Sequence, residues 1–205
     1  MTSFFEKHFY ILCVLGFAFI IGLASAYYFF AFDLINANGD SIARLNISRR
    51  TIDSAAPGFA HIGYAWPPIQ LILMTPLTMF DSLYRSGLAG LIPSFLSFVL
   101  AAIFMYKIGE LLWGRFAGFA AFALFVSNPN ILYAQATPLS EIFYTASILS
   151  TIYFVLRWTR GHSEKFLFLS ALSLFGATLS RYDGWFIAIL AIISLIIYSL
   201  YTFRD

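Results

Sequence analysis

Four stretches of this 205-residue chain run for 20 residues or more without a charged side chain: Phe9–Phe32, Gly87–Tyr106, Phe116–Ser140 and Gly184–Phe203. Crossing the hydrocarbon core of a bilayer takes about 20 apolar residues of helix. Two further stretches, Ile142–Leu156 and Phe166–Ser180, are uncharged over 15 residues each. They reach span length if Arg157 and Lys165 snorkel to the interface. Charged residues make up 11% of the chain and hydrophobic ones 60%, whereas a soluble domain carries roughly 25% charged residues. That contrast excludes a water-soluble enzyme and a disordered chain. A net charge of +2 with no dense Lys/Arg cluster gives no surface for nucleic acid. The single cysteine, Cys13, allows no intrachain disulfide and no cysteine-based zinc cage. The expected fold is all-α: a polytopic membrane protein of about six transmembrane helices.

The spans are placed at 9–32, 87–106, 115–133, 139–158, 165–182 and 184–203, in one membrane domain. Ala24-Ser25-Ala26 resembles a signal-peptide cleavage site, but the apolar run continues past it through Tyr27-Tyr28-Phe29-Phe30 and reads better as an uncleaved anchor. Residues 33–86 form an external loop with juxtamembrane helices. Within it, Trp66–Phe80 opens on Pro67-Pro68 and contains Pro76. It reads as a short interfacial helix, since proline starts or kinks helices. This choice decides the topology. With six spans and the N-terminus inside, seven cations lie inside (Lys7, Lys107, Arg115, Arg157, Arg160, Lys165 and Arg204) and five outside (Arg44, Arg49, Arg50, Arg85 and Arg181). If Trp66–Phe80 spans instead, the split is nine to three, which the positive-inside rule prefers. The loops argue for six, because only then do the polar clusters share one face, as a site built from several helix ends requires.

Three clusters converge in the six-span arrangement. Asn36-Ala37-Asn38-Gly39-Asp40 is turn chemistry, and Asp40 is expected to open an amphipathic interfacial helix through about Ala56, with Ile42, Leu45, Ile52 and Ala56 on one face. Pro57-Gly58 ends it, and His61, Tyr64 and Trp66 follow as an interfacial belt. The second cluster runs from Ser127-Asn128-Pro129-Asn130 through Tyr133, Gln135, Thr137 and Pro138 to Glu141. Polar side chains this dense at a span boundary are costly unless they face a cavity. The third is Ser180-Arg181-Tyr182-Asp183-Gly184-Trp185.

Taken in order, Asn38 through Arg50 leading to Pro57-Gly58, Ser127 to Glu141, and Ser180 to Trp185 resemble the N-terminal membrane core of GT-C superfamily glycosyltransferases. The likeness is to the dolichyl-phosphate-mannose/protein mannosyltransferase-like and aminoarabinose-transferase-like branch, and runs from about Phe9 to Phe203. The resemblance implies a polyprenyl-phosphate-linked sugar donor, a protein, glycan or lipid hydroxyl as acceptor, and transfer on the non-cytoplasmic face of a multi-pass membrane protein. It places Asp40 at the family's acidic position in the first external loop. Glu141 falls near the acidic residue at the start of the fourth span, and Arg181 where a basic residue faces the donor phosphate. Enzymes of the superfamily are usually much longer, so the chain is expected to be a minimal core or the N-terminal part of a longer enzyme.

Glycosyl transfer from a lipid phosphate needs a base, positive charge for the leaving phosphate, and exclusion of water. Asp40 is the candidate base, with helix N-capping as its structural alternative. Glu141 is the candidate for orienting the acceptor, or for holding a divalent metal with Asp40 or Asp183. The alternative for Glu141 is a favourable place at a helix N-terminus. Arg181, with Arg44 or Arg49, is the candidate phosphate cation. Its alternative is an ion pair with Asp183, and that of Arg49 and Arg50 is attraction to anionic lipid. Tyr182 and Trp185 are candidates to stack on sugar or isoprenoid, with interfacial anchoring as the alternative that the residues favour. The histidines His8, His61 and His162 are scattered, so no metal site is assigned. Asn46-Ile47-Ser48 matches a glycosylation sequon by chance. Two other functions stay open: a non-catalytic lipid-phosphate-binding or transport protein, and a subunit of a larger membrane complex.

Overall fold

The computed structural model describes residues 4–63 and 65–202, with side chains from Phe9 onward. The roles suggested for Lys7, His8, Tyr64, Phe203 and Arg204 lie outside these. The described chain is helical with no strand: α1 (Phe4–Ala31), α2 (Gly39–Arg50), α3 (Ile69–Thr78), α4 (Asp81–Ser86), α5 (Leu88–Trp113), α6 (Arg115–Val126), α7 (Pro129–Gln135), α8 (Glu141–Gly161), α9 (Glu164–Thr178) and α10 (Asp183–Thr202). Three helices are long and apolar enough to cross a membrane: Phe9–Ala31, Leu88–Trp113 and Asp183–Thr202. The bent pair α6 and α7 makes a fourth if it counts as one span.

Helix α5 is the centre of the bundle. It packs against α1, α3, α6 and α8 and buries small residues along its length, among them Ala89, Gly90, Ser94, Ser97, Ala101, Ala102 and Gly109. Small side chains let helix backbones approach closely, which is how helices associate where lipid removes the hydrophobic drive. The core around it is Val14, Ala18, Phe98, Ala102, Tyr106, Phe122, Ile142 and Ala146. By contrast α1 and α10 present Phe17, Ile20, Tyr27, Trp185, Phe186, Leu190 and Ile197 outward, as expected of surfaces that face acyl chains.

Helix α8 carries Ser147, Ser150 and Thr151 mid-way, and its composition alone would not mark it as apolar. All three are buried. Ser150 and Thr151 donate their hydroxyls to Ser147 O at 3.0 and 2.8 Å, so the helix satisfies its own polar atoms. It sits between α5 and α9, where it need not be greasy.

Three sequence expectations change. The third span, placed at 115–133, is broken: α6 ends at Val126, Asn128 caps α7 by accepting from Asn130 N, and the two axes differ by 67°. Pro129 at the first turn of α7 has no N–H to continue the α6 ladder, and Asn128 before it is held extended. Consequently Ser127–Asn130 lie exposed at the bend. Gln135 and Thr137 turn into the core, with Gln135 donating to Gly22 O at 3.1 Å, instead of facing a cavity.

Second, α2 stops at Arg50 rather than near Ala56, with Thr51 as its C-cap. Its buried side is Ser41, Arg44, Leu45 and Ser48, while Ile42 is exposed. The helix docks a largely polar face on the bundle, where Ser48 donates to Leu71 O at 3.2 Å. Third, the N-cap of α2 is Asn38, whose side chain accepts from Asp40 N at 2.9 Å. Asp40 is therefore not the cap. The segment after the prolines is the ten-residue α3, about 15 Å long and too short to cross.

Candidate active-site cleft

Three irregular junctions meet at one end of the bundle, and hydrogen bonds tie them there. Ile69 N at the start of α3 donates to Leu179 O at the end of α9, at 3.1 Å. Ser180 in the α9–α10 turn donates to Ser140 O just before α8, at 3.2 Å. The segment before α8 is fixed in turn by α5: Ser94 donates to Thr137 O at 2.9 Å, and a Cβ at Gly90 would lie 2.3 Å from Pro138 Cβ. Only glycine lets α5 and Pro138 come this close.

The result is an open cleft of about 280 Å³ lined by Asp40, Arg44, Trp66, Pro67, Ser140, Glu141, Ser180, Arg181, Tyr182 and Asp183. Each of the three sequence clusters contributes. Of the candidate residues, Asp40, Glu141, Arg44, Arg181, Tyr182 and Asp183 share this cleft, and Arg49 does not. Its guanidinium instead bridges Asp53 and Asp81, each at 2.8 Å. It also donates to Thr78 O at 2.6 Å and stacks over Tyr84. The hydrogen bond that Arg49 donates to Asp53 is the first cause holding its pKa above the ordinary arginine value. Arg49 pins α2 to α3 and α4. It faces away because residues five apart on a helix point in different directions, and Arg44 takes the cleft side.

The charges in the cleft are unequally satisfied. Arg181 donates to Glu141 Oε1 at 2.7 Å and to Asp183 Oδ2 at 3.2 Å, so both the ion pair with Asp183 and a second pair with Glu141 form. The other carboxylate oxygen of Glu141 is buried without a partner, as is Ser140 Oγ. Arg44 is 4% exposed. Its cation sits 4.7 Å above the Trp66 ring, while Nε and one terminal nitrogen have no hydrogen-bond partner. Burial lowers its pKa, against the opposing pull of Glu141 and Asp40. Asp40 is exposed, and its carboxylate makes no hydrogen bond or ion pair among the described residues. An unpaired buried polar group costs about 1–3 kcal/mol, more when charged. Four such atoms border one cleft: two guanidinium donors, a hydroxyl and a carboxylate acceptor.

Trp66 lines the cleft, a role that the sequence did not assign to it. It stands 22 positions from Arg44 across an irregular loop, so no periodicity links the two. Among the described residues no group of three His, Cys, Asp or Glu side chains could hold a metal ion.

An all-helical membrane protein with a charged cleft at one end of its bundle is the class this fold defines. Residues 70–204 match the family described as dolichyl-phosphate-mannose-protein mannosyltransferase, and the chain belongs to that family. This makes it a membrane protein of a glycosyltransferase family. No curated protein and no solved structure matches the chain significantly. The family match begins after Asp40, Arg44 and Trp66, so these three cleft residues stand on the geometry alone.

Proposed function

We propose that the cleft transfers a sugar from a polyprenyl-phosphate donor to a hydroxyl acceptor, as a GT-C type enzyme of the branch named above. The observation that carries this reading is the buried, unpaired Arg44 guanidinium beside a free carboxylate at Asp40. The acceptor oxygen attacks the anomeric carbon, the bond from that carbon to the phosphate oxygen breaks, and the acceptor proton passes to Asp40 as general base. The departing lipid phosphate keeps the bonding electrons, and Arg44 stabilises its charge. Arg181 is already engaged by two carboxylates, so its part is to fix Glu141 and Asp183 and to reach the phosphate with what donor capacity remains. Glu141, with one oxygen uncommitted, orients the acceptor. Tyr182 offers an exposed ring for the sugar.

An apolar tail on the donor suits the surface below the cleft. A groove lined by Ile148, Ile152, Val155, Ile187, Ala191 and Leu195 runs between α8 and α10. Ile148 is two turns along α8 from Glu141, and Ile187 one turn along α10 from Asp183, on matching faces. The cleft takes the non-cytoplasmic side of a chain that crosses six times. The short α5–α6 and α8–α9 turns make antiparallel neighbours, and α3 is too short to add a crossing.

The test is Asp40→Asn, which leaves the Asn38 cap untouched. With a radiolabelled polyprenyl-phosphate sugar and a hydroxyl acceptor, the variant is expected to bind donor normally and to lose transfer by about 10²-fold or more. Wild-type rates in the variant would remove Asp40 as base. Donor bound by both forms but transferred by neither would make the protein a lipid-phosphate carrier instead.

A further inference from the structure

A second polar cleft lies at the other end of the bundle, where the α5–α6 turn meets the C-terminal part of α8. Glu141 and Arg160 stand 19 residues apart on α8, about 28 Å along the axis, close to a bilayer's hydrocarbon thickness. The cleft has a volume of about 380 Å³, and its polar lining is Tyr10, Tyr106, Lys107, Glu110, Arg115, Tyr153, Arg157 and Arg160. Four cations therefore face one carboxylate.

Three of these cations are oriented by aromatic rings. Arg157 donates to the Tyr153 hydroxyl at 3.0 Å and lies 4.6 Å over the Phe166 ring. Arg115 lies 4.5 Å over Tyr10, and Lys107 lies 5.5 Å over Tyr153. Among the described residues the nearest ion pair is Arg115 with Glu110, at 3.9 Å. The best hydrogen bond of Glu110 comes instead from the Tyr106 hydroxyl, at 2.8 Å. Lys107, Arg157 and Arg160 have no carboxylate partner there. Aromatic faces orient cations while leaving their N–H groups free, and fixed guanidinium groups match phosphate oxygens.

We propose that this cleft binds a phosphate-bearing anion, supplied by the headgroup of an anionic membrane lipid. The site is distinct from the transfer cleft and does not depend on the reaction assigned to it. Its level, one hydrocarbon thickness away, is that of lipid phosphates in the opposite leaflet, where clustered basic residues attract acidic headgroups.

The experiment uses the full chain purified in mild neutral detergent and native mass spectrometry with phosphatidylglycerol, phosphatidylcholine or inorganic phosphate. Phosphatidylglycerol is expected to bind in preference to phosphatidylcholine. Lys107→Gln with Arg157→Gln should weaken it about 25-fold, each basic residue near a headgroup counting for a factor of about five. Arg85→Gln, an exposed cation at the far end, should change nothing. Glu110→Gln removes the one carboxylate that lines the cleft among the described residues while keeping an acceptor for Tyr106, and should tighten binding, so the proposal survives a double variant that fails to fold. Inorganic phosphate bound at this cleft with no phosphatidylglycerol preference would overturn the lipid source. Equal phosphatidylglycerol affinity in wild type, the double variant and Glu110→Gln would overturn the site.

Discussion

At the scale of single residues, two arginines five positions apart on α2 do opposite jobs. Arg49 is saturated by Asp53, Asp81 and Thr78 O; Arg44 is buried and short of partners. Arg49→Gln should lower the thermal midpoint by loosening α2 from α3 and α4 while leaving donor affinity intact, measured by a melt and a binding titration on one preparation. Arg44→Gln should behave the other way. It removes a buried charge that Glu141 and Asp40 only partly offset, so the midpoint should hold or rise, offset by the loss of about 0.5–2 kcal/mol of cation–π contact. Donor binding should fall by about tenfold or more, the scale of a lost charge-assisted phosphate contact. A large drop in midpoint for Arg44→Gln would mark the residue as structural. The sequence put both arginines forward as phosphate cations with nothing to choose between them. The choice turned on Asp81 and Trp66, which approach α2 only through the folding of the loop.

At the scale of elements, the long helices were legible because apolar runs without charge have few other solutions. Their irregularities were harder to read. Ser127-Asn128-Pro129-Asn130 was visible as a polar cluster, yet its effect is to break the third span. Whether proline ends or merely kinks a helix depends on what the freed carbonyls meet. The polar docking face of α2 was hidden too, because reading amphipathicity assumes that apolar residues are the ones buried. Contacts such as Gly90 on Pro138 have no local signature at all. Gly90→Ala should force α5 and the α8 entry apart, destabilising the fold by about 1–3 kcal/mol as an overpacked contact. Because Glu141 follows Pro138 by three residues, the same variant should cut transfer more than the milder Gly16→Ala, whose added methyl meets nothing. Equal activity in the two variants would separate Gly90 from the site.

At the scale of the molecule, the convergence of the three clusters rests on how many times the chain crosses. Thiols placed singly at the exposed positions Ala37, Ser127 and Ser163, in a background with Cys13 replaced, distinguish the alternatives. Six crossings predict that Ala37→Cys and Ser127→Cys react with an impermeant reagent on intact cells, and that Ser163→Cys reacts only after permeabilisation. A seventh crossing through α3 would shield Ala37→Cys while leaving Ser127→Cys reactive. Charge bias favours that rival, whereas the ten-residue length of α3 favours six crossings.

The stranded guanidinium at Arg44 also bears on how the protein behaves when handled. A ligand that pairs with a buried charge short of hydrogen-bond partners stabilises the folded protein by mass action. Extraction that strips native lipid should therefore yield the most fragile preparation, and resistance to heating should climb with added lipid phosphate until the pocket saturates.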